Sequence, residues 1–104
     1  MPTKFCTTRT QIAGHDVTEL ARQFGTPVFV YDAAKIVERI ADLKAFDVIR
    51  YAQKACSNIA ILDLMRQHDV LVDAVSAGEI GRALAAGYQT AGNPPPIVYT
   101  ADIF

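Results

Sequence analysis

Two rhythms of apolar positions run along the chain. Val17, Leu20, Ala21 and Phe24 recur every three to four residues, and Ile36, Val37, Ile40 and Leu43 do the same. That spacing predicts two helices with one buried face each. Between them, Pro27-Val28-Phe29-Val30-Tyr31 is a short β-branched and aromatic run that predicts a strand. From Val48 the pattern changes to short apolar runs that alternate with helical ones. Val48-Ile49-Arg50-Tyr51-Ala52-Gln53-Lys54 predicts a strand over 48–54, and Ile61, Leu62 and Met65 face inward on a helix over 58–68. A second strand follows over 70–75, then a helix over 77–86 with Ile80, Ala83 and Leu84 on one side. A loop containing Gly92 and Pro94-Pro95-Pro96 leads to a third strand over 97–101.

Punctuation residues support these boundaries. Asp16 precedes the first helix as an N-cap, with Glu19 three residues on, and Gly25 fits its stop. Asp32 caps the second helix and Gly87 ends the last. Residues 1–15 read as a polar lead-in. The order from residue 48 is β-α-β-α-β, whose crossovers imply parallel neighbours with right-handed connections. The predicted class is α/β. A parallel sheet needs cover on both faces, and a complete (β/α)8 barrel needs roughly 250 residues, so these 104 read as the first part of something larger.

Composition narrows the functional classes. With 51% hydrophobic and 20% charged residues the chain has material for a core and is unlike a disordered segment. A net charge of −1 with interleaved signs offers no nucleic-acid patch and no polybasic membrane anchor. No apolar run approaches the ~20 residues of a membrane span, and residues 1–14 carry no secretion signal. Cys6, Cys56, His15 and His68 have no metal-ligand spacing, so no metal is expected and a reducing cytoplasm is the default compartment.

The candidate chemistry centres on Lys54. On a strand, a period of two puts Ala52 and Lys54 on one face, and Ala52 leaves space beneath the amine for a flat ring. The C-terminal end of a parallel strand is where barrels keep their chemistry. A lysine there can form a Schiff base with an aldehyde cofactor such as pyridoxal phosphate; the ordinary alternative is a strand-end lysine facing solvent. Asp73 is expected on the face of Leu71 and Val75, level with Lys54 on the adjacent strand. An unpaired charge there is costly to bury, so it serves a pocket or bonds to backbone or a neighbouring strand. Ser76-x-x-Glu79 is a capping box for the helix that follows. Arg50 shares the Lys54 face at the other end of the strand, where a salt bridge is expected. Tyr51, Tyr88 and Tyr99 read as packing residues.

Four ordered segments add a resemblance. Tyr51-Ala52-Gln53-Lys54-Ala55-Cys56-Ser57-Asn58 resembles the cofactor motif of the alanine-racemase-like barrel decarboxylases that use pyridoxal phosphate. Gly25 to Asp32, Asp73 to Ile80 with Ala83 to Tyr88, and Ile97 to Asp102 resemble further segments of the same family, in order and at the expected spacing. Within it the wording is most similar to the bacterial diaminopimelate decarboxylases. The resemblance implies the N-terminal part of a (β/α)8 barrel preceded by a strand of a separate β domain. Residues 1–31 would be the lead-in and that strand; residues 32–104 would be the first helix and first three barrel strands.

It also implies that Lys54 is the Schiff-base lysine and that Asp73 and Ala52 lie beside the cofactor. The implied reaction is decarboxylation of meso-2,6-diaminopimelate to L-lysine and carbon dioxide by a longer, homodimeric, cytoplasmic enzyme, with this segment inactive alone. Alternatives are a relative acting on arginine, ornithine or a polyamine precursor, or a barrel protein that holds pyridoxal phosphate without catalysis. Many members carry asparagine where this chain has Cys56, which reads here as a small buried hydrophobe. A self-contained doubly wound module is disfavoured, because no Gly-rich phosphate loop follows the first strand.

Overall fold

The computed structural model describes residues 8–100, so Cys6 and the predicted end of the third strand at Ala101 lie outside the described residues. The chain divides into two compact units, up to Ile36 and from Val37, with the division falling inside one helix.

In the first unit, β1 (Gln11–Ile12) and β2 (His15–Asp16) form an antiparallel hairpin. Its two-residue turn has positive φ at Ala13 (52°) and Gly14 (79°), the handedness that matches strand twist. The lead-in predicted for residues 1–15 therefore contains a hairpin. Only one of the two turn positions carries a residue that favours positive φ, which left little signal. Helix α1 (Val17–Phe24) starts as predicted: Asp16 accepts from the Thr18 and Glu19 N–H groups at 2.9 and 3.1 Å. It stops at Gly25, whose N–H donates to the Ala21 carbonyl at 2.8 Å. The expected strand over 27–31 is not one. Among the described residues no strand pairs with it, and a strand requires a ladder. Val28, Val30 and Tyr31 are exposed, and Phe29 is 89% exposed. A groove of about 340 Å³ lies between this segment and α1, lined by Leu20, Pro27, Val28 and Val30 among others. Asp32 then caps α2 (Ala33–Asp42), accepting from the Ala34 and Lys35 N–H groups at 3.0 and 3.3 Å.

The second unit contains β3 (Arg50–Ala52), a 3-10 turn (Gln53–Ala55), α3 (Ile59–Gln67), β4 (Leu71–Ala74), α4 (Ala77–Ala85) and β5 (Ile97–Tyr99). The sheet runs β3-β4-β5 with all strands parallel, as the crossover pattern predicts. One face packs on the helices through Leu62, Val72, Ala83, Ala86 and Tyr88, with Tyr51 and Ile97 against them. Burial of these side chains supplies the main drive for the unit. Asn58 caps α3 by accepting from the Ala60 N–H at 2.9 Å. Gly87, at φ 101°, takes the chain out of α4; a Cβ there would lie 3.0 Å from Arg66 Nε. Among the described residues no helix is long and apolar enough to cross a membrane.

The first strand of this sheet is shorter than predicted. It ends at Ala52 instead of Lys54, and the chain turns into 3-10 geometry at Gln53. Its ladder partner ends nearby: Ala52 pairs with Asp73, and β4 stops at Ala74. The Tyr51 hydroxyl donates to the Cys56 carbonyl at 2.7 Å, tying the turn back onto the strand.

Candidate active site

The sheet face opposite the core carries Arg50 and Ala52 from β3, Leu71 and Asp73 from β4, and Val98 from β5, by strand alternation and register. The three strands end on the same side, at Ala52, Ala74 and Tyr99, and the turn holding Lys54 lies at that end. Lys54 is exposed at the middle of the turn, and among the described residues no hydrogen bond or ion pair engages its amine.

Lys54 is therefore not level with Asp73, as the uninterrupted strand implied. The residue opposite Asp73 is Ala52, and Lys54 follows two positions later, beyond the ladder. Asp73 thus sits between the methyl of Ala52 and, on the other side, its register partner Val98. Neither side chain can hydrogen-bond, and Asp73 Oδ1 is buried with no partner among the described residues. The bond to backbone or to a neighbouring strand expected as the alternative is absent for that oxygen among the described residues. An unmatched carboxylate oxygen is costly to bury.

These features fit pyridoxal phosphate. They place an accessible primary amine, a small side chain that leaves room for a ring, and an unmatched acceptor at the C-terminal end of a parallel sheet. Lys54 would hold the group covalently, with Ala52 and Asp73 on the face beneath.

The remaining candidates have structural roles. Ser76 accepts from the Glu79 N–H at 3.2 Å, and its hydroxyl donates to Glu79 Oε2 at 3.1 Å, as a capping box requires. Among the described residues Arg50 makes no salt bridge; its guanidinium donates to the carbonyls of Val72 (3.2 Å) and Pro95 (2.6 Å), joining segments far apart in sequence. The Tyr88 hydroxyl donates to the Val70 carbonyl at 2.6 Å, and burial pushes its pKa up to about 12. Burial also raises that of Tyr51, with the Cys56 thiol adding to the effect and the bond to the Cys56 carbonyl opposing it. Sequence reasoning gave no role to Gln53, which is fully buried with both side-chain polar atoms unmatched among the described residues. Its only signal was a polar residue beside Lys54.

Comparison with known proteins now decides the family. Residues 31–103 match the family model described as pyridoxal-dependent decarboxylase, pyridoxal binding domain. The chain belongs to that family. It is 54% identical over 103 residues to the diaminopimelate decarboxylase of Escherichia coli K12, covering 99% of this chain and 24% of that protein. With the diaminopimelate decarboxylase of Streptomyces coelicolor it shares 59% identity over 90 residues, covering 86% and 20%. A crystal structure of diaminopimelate decarboxylase superposes with a TM-score of 0.78 at 60% identity, over 83% of this chain and 20% of that one. The chain thus spans about a quarter of the length of the curated relatives it matches. Its parallel β-α-β-α-β unit is the N-terminal part of the pyridoxal-binding (β/α)8 barrel.

Proposed function

We propose that this chain is the opening part of a diaminopimelate decarboxylase, in which Lys54 covalently holds pyridoxal phosphate and Ala52 and Asp73 line the space beneath it. The complete protein would convert meso-2,6-diaminopimelate to L-lysine and carbon dioxide. The observation that carries this reading is the accessible Lys54 amine at the strand ends, two residues past Ala52, whose register partner Asp73 has a buried oxygen with no hydrogen-bond partner among the described residues. Identity above 50% to proteins named for this activity supports the choice of substrate.

Bound pyridoxal phosphate supplies the electron sink for the pair released when the substrate carboxylate departs. The chain contributes attachment and placement. Lys54 Nζ would hold the cofactor covalently at the sheet's C-terminal end. The Ala52 methyl leaves that space open, where a larger side chain would fill it. Asp73 would present a carboxylate oxygen that has no hydrogen-bond partner among the described residues, open to a donor brought by cofactor or substrate.

The same reading divides the chain into a lead-in with a strand of a separate β domain, residues 1–31, and the start of the barrel, residues 32–104. The exposed apolar residues Val28, Phe29 and Val30, next to Pro27, support the first part. It further carries a cytoplasmic, homodimeric enzyme.

The test is a substrate panel on the full-length protein. Carbon dioxide release with L-lysine as the product is expected from meso-diaminopimelate, with far slower release from arginine and ornithine. Equal or faster turnover of arginine or ornithine would contradict the assignment.

A further inference from the structure

Tyr51 stands in β3, three residues before Lys54, and its ring packs against the buried cluster that includes Leu62 and Val72. A phenylalanine would fill the same space without carrying a hydroxyl into a half-buried position. The hydroxyl donates to the Cys56 carbonyl at 2.7 Å. Burial raises its pKa, which keeps the proton on the oxygen and the group a donor. Because the acceptor is backbone, the bond does not depend on which side chain stands at position 56.

That bond closes over the turn that carries Lys54. β3 ends at Ala52, the 3-10 turn takes Gln53–Ala55, and Cys56 leaves it extended at φ −166° and ψ 115°. Among the described residues no side chain caps the turn at Ala52, and a single 3-10 turn is weakly held by its own hydrogen bonds. The Tyr51 bond fastens the exit of the turn to a strand whose place is set by its ladder to β4. Arg82 of α4 reaches the next carbonyl, that of Ser57, at 3.4 Å, and Asn58 then caps α3. Lys54 is the middle residue of the turn, where successive side chains point about 120° apart. A rotation of the turn would swing its amine relative to the face of Ala52 and Asp73.

We propose that Tyr51 is a positioning residue for Lys54: its hydroxyl, acting through the Cys56 carbonyl, fixes the turn in the orientation from which the Lys54 amine captures pyridoxal phosphate. The inference rests on Lys54 being the attachment residue. The ring of Tyr51 serves the core and its hydroxyl serves the turn. A lysine amine sits on a flexible four-carbon stem, so its placement depends on fixing the backbone beneath it. The loss of one ordinary hydrogen bond sets the expected effect at roughly tenfold.

The test compares full-length wild type with Tyr51→Phe, which keeps the ring, and with Tyr88→Phe. The latter removes a hydroxyl–carbonyl bond of similar length, 2.6 Å to Val70, from the opposite end of the same sheet. Two quantities are read on each cofactor-free protein: its melting temperature, and the rate at which it captures added pyridoxal phosphate, followed by the absorbance of the lysine-bound cofactor. Both variants should melt below wild type. Tyr51→Phe should capture the cofactor roughly tenfold more slowly, and its folded, loaded fraction should turn over meso-diaminopimelate roughly tenfold more slowly. Tyr88→Phe should match wild type in both rates. 4-Aminophenylalanine in place of Tyr51, whose N–H can donate to the same carbonyl, should restore the capture rate. A wild-type capture rate in folded Tyr51→Phe would overturn the proposal. So would an equal slowing in Tyr88→Phe, which would make the effect a general loosening, or failure of Tyr51→Phe to fold, which would give the hydroxyl to the fold. A borohydride label on a different lysine in the wild-type protein would defeat the reading of Lys54 itself; label on Lys54 with unchanged capture in Tyr51→Phe would defeat this inference alone.

Discussion

The two ends of the three-stranded sheet treat their polar groups in opposite ways. At the end where the strands begin, Arg50 spans the carbonyls of Val72 and Pro95, and Tyr88 donates to Val70. Arg66 adds bonds to the Ala86 carbonyl at 3.0 Å and to Asp63 at 2.7 Å. At the end where the strands finish, Asp73 Oδ1 and both amide atoms of Gln53 are buried without partners among the described residues. The first end holds the fold together; the second carries its mismatch where the chemistry is proposed. Polar mismatch is tolerated where a ligand can resolve it, and a matched network needs none.

The largest effect that separates the two ends is at Lys54. Lys54→Ala should abolish covalent cofactor capture and lower turnover of the full-length enzyme by several orders of magnitude. The unloaded melting temperature should hardly move, because the side chain is exposed and makes no hydrogen bond or ion pair among the described residues. Steady-state assays and a thermal melt on one preparation read both quantities. A variant that keeps wild-type turnover would remove the chemistry from this end.

A smaller effect is expected at Asp73. Asp73→Asn keeps the shape and removes the charge, so turnover should fall roughly tenfold to a hundredfold. Thermal stability should hold or rise, since a buried oxygen without a donor no longer carries charge. A variant that melts far below wild type yet turns over normally in its folded fraction would place Asp73 with the structural end instead.

The weakest of the three effects belongs to the other end and should leave catalysis alone. Tyr88→Phe strands the Val70 carbonyl and should cost about 1–3 kcal/mol by denaturant titration, with turnover unchanged. Wild-type stability should also respond to alkali. The unfolded tyrosine loses its proton near pH 10, whereas the folded one keeps it to about 12. The unfolded state thus binds fewer protons through that window, and stability falls as pH rises from 10 to 12, by roughly 2–3 kcal/mol. Below pH 10 the contribution is fully present, and Tyr88→Phe should lack this part of the alkaline response. A pH series of chemical denaturation curves checks both.

How far each end was legible in sequence follows the range of its interactions. Asp16, Asp32 and Ser76 act on N–H groups two or three residues ahead, and each was read correctly as a cap. The helices and the parallel order came from apolar spacing and crossover length, both local properties. The end of β3 was misplaced by two residues because it depends on where β4 stops, more than 20 residues later. That error carried Lys54 into the ladder and level with Asp73. Arg50 was expected to meet a carboxylate, but its partners are carbonyls 22 and 45 residues away, which no spacing rule identifies. The motif around Lys54 located the site, while the mismatch at Gln53 needed coordinates. Burial of a side chain is set by what packs over it.

The central claim is that the strand-finishing end of this sheet holds its cofactor through one residue. Borohydride reduction of the full-length protein with bound pyridoxal phosphate, followed by peptide mass mapping, tests it directly. The account predicts a pyridoxyl group on the peptide containing Lys54 and on no other peptide. A label on Lys35 or Lys44 instead, with Lys54 unmodified, would contradict it.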